Sequence, residues 1–249
     1  MTAHPLEELI GQLKQAHGQG LISIILYGSH GRGVTWQDNP GMIPHNHRSN
    51  RDILIVLDHV DPHELKRSRA IVEKWREAGN PLPLYIGQDE ISLSAEVFPA
   101  EFIDLCRARR VLAGRDPFEG FRVPKRNLKH QLEYELESKL IRLRTLYLSS
   151  SAGPASMARL MRESLIAFSG LFRHVIGLLG HEIPSEKRQS IAELATLLNL
   201  DRRLFDRILS HHEGATALSE AEADRLFSAY LMEIRKVIEA VRDSQLQAA

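Results

Sequence analysis

"SNRDILIVL", residues 49–57, runs from polar residues straight into an apolar stretch, with one acid, Asp52, at its mouth. The unbroken run from Ile53 to Leu57 is the length of a strand and too short for an ordinary helix. Without alternation, it implies a strand buried on both faces. Upstream, "LISIILYG" (21–28) is equally rich in branched apolar residues and ends at glycine, so it predicts another buried strand. It opens into "YGSHGRG" (27–33). Between the two strands lies "VTWQDNPGMIPHNHRS" (34–49), with Asn-Pro-Gly turn signals and no periodicity. A loop of that length inside a compact domain is usually functional or mobile.

The order of strand, Gly-Ser turn and acid-led second strand resembles the nucleotidyltransferase superfamily that shares the polymerase-beta palm, of the kanamycin and minimal nucleotidyltransferase type. The residues that carry the resemblance are "ILYGSHGRG" (25–33) followed by "SNRDILIVL", and it spans roughly residues 20–105. The family places Gly-Ser at a strand end, Asp-x-Asp at the start of the next strand and a third acid on a later one. Gly28 and Ser29 match the first feature, and Asp52 matches the second acid of the pair. Glu101, in "FPAEFIDL" (98–105), is the expected third acid, with Glu96 as the alternative.

Physical reasons stand behind each part of the pattern. A strand that ends in Gly-Ser at a helix start presents backbone N–H groups and a hydroxyl to a phosphate. Residues i and i+2 of a strand face the same side, so acids at that spacing can share metal ions. Two Mg²⁺ ions then clamp the attacking and leaving oxygens of a phosphoryl transfer. The resemblance therefore implies Mg²⁺ held by Asp52, Asn50 and Glu101, catalytic roles for Asp52 and Glu101, and a nucleoside triphosphate held by Gly28, Ser29 and Arg32. The implied reaction moves a nucleoside monophosphate to a hydroxyl of a small molecule or protein, with Glu101 as general base.

The departure from the pattern is Asn50, which stands where the first acid belongs. Its amide offers Mg²⁺ a neutral carbonyl oxygen and no charge. With one of three carboxylates missing, a site for two divalent ions loses much of its attraction. Three outcomes remain open: weakened catalysis, nucleotide binding without turnover in a regulatory module, and a domain without catalysis. A further alternative comes from "RILSHH" (207–212), in which Arg207 and His212 have the spacing of the HEPN family of helical ribonucleases. That resemblance implies a toxin–antitoxin type fusion. His45 and His47, in "PHNHR", look like a metal pair, but no third ligand lies nearby in sequence.

Composition narrows the classes. With 32 basic and 32 acidic residues the formal net charge is zero, so there is no bulk pull toward nucleic acid or an anionic membrane. No apolar run approaches a membrane span. A single cysteine, Cys106, excludes an internal disulfide framework and fits a reducing cytoplasm.

The expected architecture is α+β in the first half and helical in the second. Apolar residues at Leu6, Leu9, Ile10 and Leu13 predict a first helix, and Asp61 followed by Pro62 predicts the start of another. "PLPLYIG" (81–87) reads as an edge strand because of its prolines, and "AEVFPAEFIDL" (95–105) as a fourth strand. From about Lys125 the helical period dominates, with helices near 155–179, 185–199 and 201–212. A last one is capped by Ser219 and Glu222. The expected domains are a nucleotidyltransferase-like one over 1–120 and a helical bundle over 121–249. By analogy with such architectures, the bundle is a place for a homodimer.

Overall fold

The two apolar runs become neighbouring strands. β1 (Leu21–Tyr27) and β2 (Asp52–Leu57) pair antiparallel, with Tyr27 opposite Asp52 and Leu21 opposite Leu57. β3 (Leu84–Gly87) adds to β2 in parallel and β4 (Arg109–Gly114) adds to β1 antiparallel, so the mixed sheet has the order β3-β2-β1-β4. "PLPLYIG" thus ends in an edge strand, where its prolines cost no ladder hydrogen bond. The structure is a computed structural model and describes residues 5–27, 52–149, 153–184, 186–210 and 218–244. It divides into two compact units, residues 1–124 and 125–249.

In the first unit each face of the sheet has its own core, because side chains alternate along a strand. Ile53, Ile55 and Leu57 meet Leu9 and Leu13 of α1 (Pro5–His17) and Trp75 of α2 (Pro62–Glu77). Leu54 and Val56 face the other way with Ile25 and Tyr27. They pack against Ile91 and Ala95 of α3 (Ile91–Val97) and Phe102 and Leu105 of α4 (Pro99–Arg107). α2 begins as its sequence dictates: the Asp61 side chain accepts from the Glu64 amide at 2.8 Å and Pro62 occupies the first turn.

The strand expected over 95–105 is instead the end of α3 and the body of α4. Pro99 explains the break, since it starts α4 where its missing N–H costs nothing. Phe98, Phe102 and Leu105, spaced by four and three, carry a helical period that the apolar run disguises. The fourth strand is β4, which closes the open side of β1. Its last residue, Gly114, has φ of +81°, and a methyl there would collide with the Ile22 carbonyl oxygen, so only glycine fits.

The second unit is all-α: α5 (Lys125–Ser149), α6 (Gly153–Leu178), α7 (Lys187–Leu197), α8 (Arg202–Ser210) and α9 (Glu220–Asp243). α6 touches each of the others and is buried without interruption from Phe168 to Ile176. Two hydrogen bonds tie that stretch to the chain that follows it. Arg173 Nε donates to the Pro184 carbonyl at 2.7 Å, and Ser190 Oγ donates to the Ser169 carbonyl at 3.0 Å. Gly180, at φ +90°, stops the helix, while Ser219 and Glu222 form the capping box that starts α9. The chain is α+β, with flanking helices on a mixed sheet and a separate all-α unit. Among the described residues no helix is long and apolar enough to cross a membrane.

Candidate functional site

Strand register brings three residues into one row at the end of the sheet. Tyr27 closes β1, with Asp52, the first residue of β2, on one side and Arg109, the first of β4, on the other. Asp52 has the same parity as Leu54 and Val56, so its carboxylate belongs to the face covered by α3 and α4. Burial raises the Tyr27 phenol well above its ordinary value, and the negative charge of Asp52 raises it further. The phenol therefore stays protonated beside the acid.

Arg109 is committed within the fold. Its Nε lies 3.0 Å from both carboxylate oxygens of Asp116, and its Nη2 donates to the Phe118 carbonyl at 3.1 Å. Its guanidinium also sits 5.9 Å from the centre of the Phe118 ring. Burial works to raise the Asp116 carboxyl, but hydrogen bonds from Arg109 and the Phe118 amide outweigh it and hold the carboxyl below its usual range. This cluster anchors the chain after β4 and leaves the arginine poorly suited to a phosphate.

Glu101 lies in the first turn of α4, half-buried, on the same side of the sheet as Asp52; the strand position expected for it is not what the fold provides. Glu96 is exposed on α3. Asp104, one turn beyond Glu101, is buried at 8% exposure on that same covering helix, and sequence reasoning did not single it out. Its signal was the i, i+3 spacing from Glu101, legible only once the segment is known to be helical. Gly28, Ser29, Arg32 and Asn50, together with His45 and His47, lie outside the described residues.

The metal expectation meets a limit here. Among the described residues no group of three His, Cys, Asp or Glu side chains could hold a metal ion. What remains is a hard-oxygen donor, Asp52, at a strand end, with Glu101 on the covering helix. Mg²⁺ is commonly held by one or two carboxylates together with the substrate's own phosphates, so this donor set suits the ion only with a nucleotide present.

A solved structure resembles this chain. It is the crystal structure of spectinomycin adenyltransferase AAD(9) from Enterococcus faecialis with ATP and spectinomycin, at a TM-score of 0.49 and 12% identity, covering 98% of this chain and 100% of that one. No family model and no curated protein matches the chain. Identity that low carries no residue role from one protein to the other.

A second polar constellation went unseen in the sequence. His17 of α1 has Nδ1 at 2.6 Å from Glu64 Oε2 and Nε2 at 2.7 Å from Ser68 Oγ, both on α2. The order serine, histidine, acid is that of a nucleophilic triad. Ser68, however, is only 2% exposed, at the inner side of a helix, with no approach for a substrate. The hydrogen bond from His17, opposed by burial and helped by Arg67, draws the Glu64 carboxyl down to about 2. The group is a tether between α1 and α2. In the second unit, Arg207 is exposed on α8, and His212 lies outside the described residues.

Proposed function

We propose that the chain is a nucleotidyltransferase-type protein that transfers a nucleoside monophosphate from a nucleoside triphosphate to a hydroxyl of a small molecule or protein. One observation carries the reading: Asp52 lies directly opposite Tyr27, the residue that precedes Gly28-Ser29 in the chain. The acid and the residue that leads into Gly28-Ser29 therefore lie at the same end of the sheet, which supports a phosphate-handling site there. In the reaction the acceptor oxygen forms a bond to the α-phosphorus, the bond to pyrophosphate breaks, and the hydroxyl proton passes to a base. Glu101, on the helix that covers the Asp52 face, is the base in this reading. Gly28, Ser29 and Arg32 bind the triphosphate, and Asp52 with Asn50 and Glu101 holds Mg²⁺, which supplies charge neutralisation at the phosphates.

A second reading is nucleotide binding without turnover. It is favoured by the single acid at the start of β2, where Asn50 supplies no charge. Pyrophosphate release and thermal shift with ATP, GTP, CTP and UTP, with and without Mg²⁺, separate the two. Nucleotide-dependent pyrophosphate release that disappears in Asp52→Ala supports transfer. Stabilisation without release supports binding alone. If Asp52→Ala alters neither, the transfer reading fails.

A further inference from the structure

α5 is apolar on two opposite faces. Leu128, Leu132, Leu136, Leu140 and Leu143 form the buried one. Diametrically across the helix, Tyr134, Ile141 and Leu148 are 75%, 59% and 83% exposed, spaced by seven residues. Ser138 and Thr145 fall between them, also exposed, so the stripe has the alternating four-three spacing of a coiled-coil seam. Thr145 Oγ1 donates to the Ile141 carbonyl at 3.1 Å, which satisfies the hydroxyl within the helix. An outward face on a bundle helix is ordinarily polar, so this one is built to be covered.

The charges beside the seam say by what. Glu135 and Arg142 border one edge, and Glu137 and Arg144 the other, with acids toward the N-terminal end and bases toward the C-terminal end. Turned end over end, a second copy of the helix places Arg142 against Glu135 and Arg144 against Glu137, on both edges at once. A parallel copy instead leaves Arg144 opposite Ser149. Glu135 accepts from Gln131 at 3.0 Å, and Glu137 pairs with Arg242 at 2.8 Å while its side chain keeps 40% exposure, so both carboxylates can take a further donor.

We propose that the outward face of α5 is an isologous, antiparallel interface with a second copy of this chain. The seam from Tyr134 to Leu148 is about 21 Å long. That is small for a permanent dimer, so association is reversible.

Sedimentation velocity on the full chain from about 1 to 200 µM tests it through mass action. The expected result is a shift from monomer to dimer across that range, which Ile141→Asp abolishes while the circular dichroism spectrum is retained. Glu135→Arg and Arg142→Glu are each expected to weaken the dimer about tenfold, and an equimolar mixture of the two to recover it as a heterodimer. Monomer throughout the range, a dimer indifferent to Ile141→Asp, or a mixture no tighter than either variant alone overturns the proposal.

Discussion

Tyr27 and Asp52 face each other across the β1–β2 ladder, a buried phenol beside a carboxylate at the end of the sheet. Burial first and Asp52 second raise the phenol's pKa above the ordinary 10.0. A raised folded-state value means that the folded chain holds this proton more tightly than the unfolded one. The associated stability is complete below pH 10 and declines as the pH rises beyond it. Burial likewise pushes the Tyr85 phenol up to about 12. Urea unfolding of the Tyr27→Phe variant is therefore expected to show a smaller loss of midpoint above pH 10 than the wild type shows. Equal losses would place the alkaline sensitivity elsewhere.

The His17–Glu64 tether gives the opposite dependence. Glu64 is drawn from 4.5 down to about 2 by the His17 hydrogen bond above all. A lowered value contributes stability that is full above pH 4.5 and lost as the pH falls through about 2. Glu64→Gln is expected to cost about 1–3 kcal/mol at pH 7. The gap to wild type should then narrow steadily between pH 4.5 and 2, as read from denaturant midpoints. A gap constant over that window would show that the carboxylate's charge is not what holds α1 to α2.

Gly114 tests the sheet's outer edge. Its φ of +81° strains any side chain, and a methyl meets the Ile22 carbonyl oxygen in the partner strand. Gly114→Ala is expected to lower stability by about 2 kcal/mol or more, with β4 loosened first. Hydrogen exchange should show faster exchange at Arg115, whose amide donates to the Ile22 carbonyl at 3.1 Å, than at Leu54 in the centre of the sheet. Gly20 makes the control, because a Cβ there meets nothing within 4 Å.

The parts of the fold legible in the sequence are those whose local signals agree with their tertiary setting. β1 and β2 needed only runs rich in branched apolar residues. Asp61-Pro62 and Ser219-x-x-Glu222 marked helix starts by the hydrogen bonds that those side chains make. "AEVFPAEFIDL" misleads because its apolar residues satisfy two periods, and Pro99 suits a strand start as well as a first helical turn. β4 is nearly invisible: two arginines and three apolar residues become a strand because β1 offers them an open edge. For the site, the face of Asp52 follows from parity alone. The covering helix, and with it Asp104, depended on contacts between Phe102, Leu105 and the sheet that no local spacing specifies. The His17 tether likewise joins residues 47 and 51 positions apart.

The strand-to-helix correction changes what distinguishes the two candidate bases. On a strand, Glu96 and Glu101 differ by an odd number of positions and would simply face opposite sides. On α3 and α4 they differ in burial instead: Glu96 is exposed, while Glu101 is half-buried on the helix that packs over the Asp52 face. If the chain transfers nucleotides, Glu101→Gln should lower turnover about 10²–10⁴-fold and leave the thermal shift with nucleotide in the absence of Mg²⁺ intact, as expected for loss of a proton acceptor that is also a metal ligand. Glu96→Gln should leave both unchanged. Asp52→Asn should instead weaken nucleotide binding itself in the presence of Mg²⁺, and Asn50→Asp should strengthen it by restoring a negative charge two positions away in the chain. Turnover that survives Glu101→Gln but fails in Glu96→Gln would move the base to α3 and displace the assignment made from the covering helix.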